Sequence, residues 1–343
     1  MRKQLEALLS MRLPPYFFSN PYVVFPTLSD FIKSLEGEIT DTELQEVNRL
    51  AALNLPPVVS GSVVAAIFGV NPGIVWAIIN KPHRYYRTFN IPKGNGQREI
   101  HAPRVVLKIF QKWLSVRLAD AWRPADCVYG FVAGRTYIDA AIKHKNAKWV
   151  FSCDIQEFFP STPSIYVKEC LQRLGYNHDQ AALVSSLCCF RGGLAQGSPA
   201  SPVLSNICAD DLDKQLLRVA EKYGCNYTRY ADDVTFSGSA EVPSGLTDDV
   251  AGVFHASPWE LAPGKTKLSV SPARLKVHGL LVHTGTPKLT KGYRNKLRAY
   301  RHLAAHGKLT KNLSKVNGHL SYAADVDRRV AADNIEVENL FGP

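Results

Sequence analysis

Between Glu260 and Asp325 the sequence has no carboxylate at all, although that stretch carries thirteen lysines and arginines. A helical surface paired with itself is thereby excluded; a segment of one sign and this length faces phosphates. Acids are scarce in the whole chain, with 41 Lys and Arg against 30 Asp and Glu and a formal charge of +11. Such an excess points to nucleic acid or to an anionic membrane surface. A long apolar run is missing too. Val58 to Asn80 has no charge, but Asn71-Pro72-Gly73 interrupts it, which predicts two short buried helices and no membrane span. Met1 to Ser10 carries charge and lacks the apolar core of a signal peptide. Spaced cysteine pairs are absent: Cys127, Cys153, Cys170, Cys188, Cys189, Cys208 and Cys225 form no C-x-x-C motif, which excludes a disulfide framework or a zinc site and predicts reduced thiols in a cytoplasm. Repeats and low-complexity tracts are lacking as well.

What is present is a 45% apolar chain of 343 residues, enough to bury a core spread over two or three subdomains. Residues 1–84 read as a helical lead-in, with candidate N-caps at Ser29, Thr40 and Ser62. From Tyr85 the pattern changes to a hairpin around Lys93-Gly94-Asn95-Gly96, closed by Pro103. Val105 to Trp122 has helical spacing, as does the stretch from Gly134-Arg135 to His144. Trp149 to Ile155 is an apolar strand carrying Asp154 near its end. Asn226 to Ser237 is a β-hairpin with Asp232 and Asp233 at its tip.

One acid at a strand end and two at a hairpin tip converge only through tertiary folding. Converging carboxylates repel, and divalent cations relieve the repulsion; hard oxygen ligands favour Mg²⁺. Two such ions about 3.5–4 Å apart can activate an attacking hydroxyl and stabilise the leaving oxygen of an in-line phosphoryl transfer. Any single Asp is more simply a cap or turn residue, which is the reading given to Asp210, Asp211 and Asp248. Asp154 stands out through its company in a fixed order: Phe158 and Phe159, then Gly193 to Pro202 with Gln196-Gly197 at its centre, then Tyr230-Ala231-Asp232-Asp233.

These segments resemble motifs A, B and C of reverse transcriptases, and the fuller set resembles the bacterial retron reverse transcriptases across nearly the whole chain. Lys93 to Pro103 is similar to the family's fingers hairpin and Gly130-Phe131 with Gly134-Arg135 to its next motif. Gly264-Lys265-Thr266 resembles motif D, and Val277-His278-Gly279 sits where the primer-grip turn belongs. The resemblance implies an α+β right-hand polymerase, with fingers and palm over residues 85–275 and a primer grip and helical thumb over 276–343. It implies catalysis by Asp154, Asp232 and Asp233, and a metal-binding set of Asp154, Ile155, Asp232 and Asp233 for two Mg²⁺ ions, with Mn²⁺ an alternative. Nucleotide binding falls to Lys93, Arg98, Ile155, Phe159, Gln196, Gly197 and Lys265. Phe159 matches the ring that excludes a ribose 2′-hydroxyl, and Gly197 allows close backbone approach to the nascent pair. Lys288, Lys291, Arg294, Lys296, Arg298 and Arg301 would track the duplex backbone, the last five on one helix.

The chain departs from the retron signatures at Ala140, Ala262 and His278, where the family usually carries Asn, Asn and Thr. The implied activity is copying of a structured non-coding RNA template-primer into cDNA from dNTPs. Priming from a guanosine 2′-hydroxyl and antiphage defence with a separate effector protein are also implied. The departures leave open another bacterial defence-associated or group II intron-like enzyme, and an RNA-binding scaffold with an idle site is the reading from a different class.

Overall fold

The computed structural model describes residues 20–94, 96–306 and 313–341. The expectations for Met1 to Ser10 and for Asn95 at the fingers turn lie outside those residues. In chain order the first elements are α1 (Leu28–Leu35), α2 (Asp41–Ala52), α3 (Gly61–Phe68), α4 (Pro72–Asn80), β1 (Tyr86–Lys93), β2 (Gly96–Pro103), α5 (Val105–Ala121), α6 (Tyr137–Ile142) and β3 (Trp149–Asp154). Then come α7 (Ser164–Leu174), α8 (His178–Cys188), β4 (Cys189–Phe190), β5 (Gly193–Leu194), α9 (Ser201–Cys208), α10 (Asp210–Lys222), β6 (Asn226–Tyr230) and β7 (Asp233–Gly238). The last are α11 (Leu246–His255), β8 (Lys267–Val270), β9 (Lys276–Val277), β10 (Leu280–Leu281), β11 (Lys288–Leu289), α12 (Lys291–Ala305) and α13 (Leu313–Phe341).

The chain divides into two compact units, residues 1–123 with 159–208, and residues 124–158 with 209–343. In the first, the apolar run is broken as the sequence indicates, but Gly69, left-handed at φ 60°, ends the first helix, and Asn71-Pro72-Gly73 starts only the second. Asn71 caps the Gly73 N–H at 2.8 Å, and Pro72 opens α4 where its missing N–H costs nothing. Thr40 caps α2 through a capping box with Glu43. The caps expected at Ser29 and Ser62 fall instead at Thr27 and Ser60, whose hydroxyls accept from Asp30 N and Val63 N. Phe31 and Leu35 of α1, and Val63, Val64 and Ile67 of α3, are buried in the core. The fingers segment forms an antiparallel ladder from Tyr86↔Pro103 to Lys93↔Gly96.

The second unit is built on a four-stranded sheet in the order β6-β7-β3-β8, antiparallel at every step. β3 is an inner strand, and Trp149, Phe151 and Cys153 on one face and Val150 on the other are buried, so both faces are covered and the strand reads as a nearly continuous apolar run. A second sheet, β11-β10-β9, turns at His278-Gly279 with φ of 46° and 85°, the two positive values of a type I′ hairpin. Leu275, Val277, Leu280 and Leu289 from this region join Ile138 and Val150 and the helical residues Leu297 and Val326 in one core cluster. All seven cysteines are free thiols. Asp210 and Asp211 lie in the first turn of α10, and Asp248 in that of α11, where acids suit the helix dipole. Among the described residues no helix is long and apolar enough to cross a membrane.

Candidate active site

The acids separated by some eighty residues meet at one end of the second unit's sheet. Asp154 is the last residue of β3 and stands directly opposite Asp233, the first of β7. Asp232 occupies the turn between β6 and β7, and its carbonyl accepts from Ile155 N at 2.9 Å. Lys265 joins them, its ammonium paired with the Asp154 carboxylate. Burial, then the Asp154 carboxyl that hydrogen-bonds to it, then the Asp154 and Asp232 charges push Asp233 up to about 8, against a smaller opposing pull from Lys265. The Asp154 carboxylate in turn raises the Lys265 ammonium above its ordinary value. Burial and the neighbouring acids thus both disfavour a further negative charge at this end of the sheet.

The donor set fits hard divalent cations, which take carboxylate and carbonyl oxygens. Ile155 is buried and apolar, so it could contribute only its main chain. Among the described residues no three His, Cys, Asp or Glu side chains stand as a preformed metal cluster. The carboxylates pair instead with Lys265 and with one another.

Backbone packing fixes the hairpin tip. Ala231 adopts φ 58°, a left-handed conformation unusual for a residue with a side chain. Residues 127–130 run beside β6, with Arg229 N donating to Cys127 O at 2.8 Å and Tyr129 N to Arg229 O at 2.9 Å. Gly130 then lies so close that a Cβ placed there would stand 2.2 Å from Ala231 N. Its match to a family motif thus has a steric reason: only glycine lets this segment support the tip.

Beneath the tip, Arg229 and Asp213 form a fully buried ion pair with contacts of 2.6 and 2.7 Å. Tyr227 donates to the same carboxylate at 2.7 Å, and Arg229 Nη1 donates to Ala231 O at 3.1 Å. The guanidinium lies 5.7 Å from the Phe158 ring centroid. Burial alone would lower the Arg229 pKa, but the Asp213 carboxylate outweighs it and the guanidinium stays charged. Sequence reasoning missed this pair. The available signal was a lone arginine within a strand of otherwise buried type, and Asp213 on an acidic helix that otherwise reads as solvated.

His144 is wholly buried and links both strands of the hairpin, with Nδ1 2.7 Å from Ser237 Oγ and Nε2 2.8 Å from Thr228 Oγ1. Burial drives its pKa down to about 3. His278, one of the departures, lies with Nδ1 3.8 Å from Asp233 Oδ2, and burial lowers it to about 4, so it is neutral beside the cluster.

In the first unit, Arg98, Gln196 and Gly197 come together. The Gln196 amide, turned to satisfy its neighbours, accepts from Arg98 Nε at 3.3 Å and donates to Glu99 O at 3.3 Å. His101 N donates to Gln196 O at 2.8 Å, and a Cβ on Gly197 (φ 125°) would meet His101 O at 3.0 Å. Lys93 is not in this group; it sits opposite Gly96 at the hairpin's far end, whereas Arg98 pairs with Ile91. Phe158 is buried and Phe159 half-buried, so the first of the two rings serves the core. Lys288 on β11 and Lys291, Arg294, Lys296, Arg298 and Arg301 on α12 are all exposed, while Leu297 anchors that helix.

Hard oxygen donors gathered at strand ends beside a cation suit metal-assisted phosphoryl transfer, the chemistry of nucleic-acid polymerases among other enzymes. The family described as reverse transcriptase (RNA-dependent DNA polymerase) matches residues 91–283. The chain is 31% identical over 304 residues to the retron Mx65 reverse transcriptase of Myxococcus xanthus, covering 81% of this chain and 71% of that one. It is 28% identical over 265 residues to the retron Ec86 reverse transcriptase of Escherichia coli, covering 75% and 82%. Among solved structures it is similar to a telomerase from Candida albicans in complex with a fragment of telomeric RNA, at TM-score 0.42 and 12% identity over 75% of this chain and 58% of that one. The chain belongs to the reverse transcriptases, RNA-directed DNA polymerases, and among them to the retron type. The departures at Ala140, Ala262 and His278 do not take it outside that family.

Proposed function

We propose that this enzyme copies part of a structured non-coding RNA into cDNA, the RNA–DNA product of retrons, from dNTPs, and that it serves antiphage defence in the cytoplasm with a separate effector protein. The observation that supports a working polymerase centre is the meeting of Asp154, Asp232 and Asp233 beside Lys265, with Asp233 raised by burial and then by the other two acids. The fingers and palm span 85–275 after a helical region over 1–84, and the primer grip and thumb span 276–343.

In this reading Asp154, Asp232 and Asp233, with the Ile155 carbonyl, hold two Mg²⁺ ions, or Mn²⁺ in their place. Bound there, the ions supply charge stabilisation to the attacking and leaving oxygens. A primer hydroxyl oxygen, initially a guanosine 2′-hydroxyl of the RNA, bonds to the α-phosphorus of the dNTP. The bond to the β-phosphate oxygen breaks, pyrophosphate leaves, and the hydroxyl proton passes to solvent. Arg98 and, farther out, Lys93 neutralise the triphosphate, and Lys265 meets the departing pyrophosphate as a charge or proton donor. Gln196 and Gly197 pack under the nascent pair, and Phe159 excludes the ribose 2′-hydroxyl. Lys288, Lys291, Arg294, Lys296, Arg298 and Arg301 contact the duplex backbone. The test is to purify the protein from its native host and analyse its bound nucleic acid with ribonuclease and deoxyribonuclease, separately and together. A DNA of defined length joined to one abundant RNA, absent in Asp232→Ala, is the expected result; nucleic acid of another form refutes the retron product.

A further inference from the structure

The first unit contains an open cavity of about 650 Å³ whose lining includes none of the residues assigned above to metal or nucleotide. Its walls come from the turn after α4, the first turns of α7, one face of α8 and the tight turn at Arg191-Gly192, where φ is positive at both residues. The volume suits a nucleotide-sized group. The chemistry of the lining is uneven. Ile165 and Phe190 provide apolar surface, while His83, Lys168 and Arg191 bring cationic or protonatable groups and no carboxylate lines the cavity. Lys168 points its ammonium towards another basic group, His178 Nε2 at 3.3 Å. Among the described residues the acid paired with these cations is Glu99, an exposed partner of Arg191 at 3.2 Å. One turn before Ile79, on the same side of α4, Trp76 is 56% exposed with the Lys81 ammonium 5.3 Å from its ring.

Exposed rings and apolar surface interleaved with cations form the pattern that binds single-stranded nucleic acid, stacking the bases while cations follow the phosphates. An apolar peptide would leave the three basic groups unmatched, and a rigid duplex would not send a base into a recess. We propose that this cavity is a second RNA site, which takes an unpaired nucleotide of the RNA held by the enzyme, with the phosphates on Lys168 and Arg191 and the adjacent base on Trp76. The proposal rests on the polymerase reading only in naming RNA as the occupant.

Two measurements on the full chain separate them. A fluorescein-labelled single-stranded RNA 12-mer is titrated by anisotropy across a salt series, and dNTP incorporation is measured on a generic RNA template with an annealed DNA primer. The Lys168→Ala/Arg191→Ala variant removes two phosphate contacts, so its slope of log affinity against log salt should flatten by about 1.4. Affinity should fall about tenfold at low salt, with an unchanged melting temperature. Trp76→Ala should lose 4-thiouridine crosslinks to residues 76–83 while keeping the wild-type slope. Unchanged affinity and slope in the double variant overturn the second site, and wild-type incorporation in the same experiment leaves the polymerase reading intact. Absence of incorporation by the wild type, with the slope change present, overturns the polymerase reading and keeps the site. A labelled oligo-glutamate peptide that binds the cavity more tightly than the RNA, and loses that binding in the double variant, overturns RNA as the occupant in favour of an acidic protein segment.

Discussion

Replacing Gly130 by alanine adds one methyl group and tests how rigidly the β6–β7 hairpin must be held. The new Cβ would stand 2.2 Å from Ala231 N, 2.9 Å from the Tyr230 carbonyl carbon and 3.0 Å from Ala231 Cα, where ordinary contact begins at 3.4 Å. All three are backbone atoms, so no side chain can swing aside. Either the tip retreats or residues 127–130 leave β6 and give up their bonds to Arg229. A retreat of about 1 Å at a reacting centre costs on the order of 10²-fold in rate, or about 2.7 kcal/mol of transition-state stabilisation. The fold itself should lose roughly 1–3 kcal/mol from overpacking. Gly252→Ala on α11 is the control: nothing lies within 4 Å of its added Cβ, and removing a helical glycine should gain about 0.5–1 kcal/mol. Primer extension under saturating dNTP, with thermal melting of each variant, gives both quantities. A Gly130→Ala enzyme with wild-type kcat and wild-type melting would refute the steric argument.

Arg229→Met strands the Asp213 carboxylate in the core and should cost about 3–5 kcal/mol in urea unfolding, while Arg229→Met with Asp213→Leu should recover most of it. His144 supplies a pH dependence. The unfolded chain takes up a proton near 6.5 and the native imidazole only near 3, so stability is complete above 6.5 and falls as pH drops towards 3. Urea titrations should find about 2 kcal/mol lost at pH 5 from this group, and His144→Gln should flatten that dependence. Because the three acids repel, millimolar Mg²⁺ should raise the melting temperature of the wild type more than that of Asp154→Asn/Asp232→Asn; an equal rise in both would place the ion elsewhere.

The parts of the fold written in local pattern were legible. The apolar run Trp149 to Cys153 reads as a strand because both of its faces are buried, and Asn71-Pro72-Gly73 reads as a break because proline opens a helix cheaply. The shift from Ser29 and Ser62 to Thr27 and Ser60 shows the limit of that code. Hydroxyl residues two positions apart read alike as caps, and the sequence pattern does not separate them. The acids were found from their order along the chain, but the devices that hold them were not. Arginine and aspartate belong to the surface in ordinary sequence statistics, so Arg229 and Asp213 read as solvated until their burial is seen. Gly130 was legible as a motif, and its steric reason was not, because the atom it must avoid lies a hundred residues away.

Ala231 is held in a left-handed conformation from two sides, by Arg229 on its carbonyl and by Gly130 against its nitrogen. A turn clamped in this way has no slack to absorb an arriving substrate. The β1–β2 hairpin is held differently: Tyr86, His101 and Pro103 at its base are buried, while β1 is exposed from Arg87 to Lys93. The two hairpins thus differ in kind, one wedged on both sides of its tip and the other fixed at its base and bare beyond it.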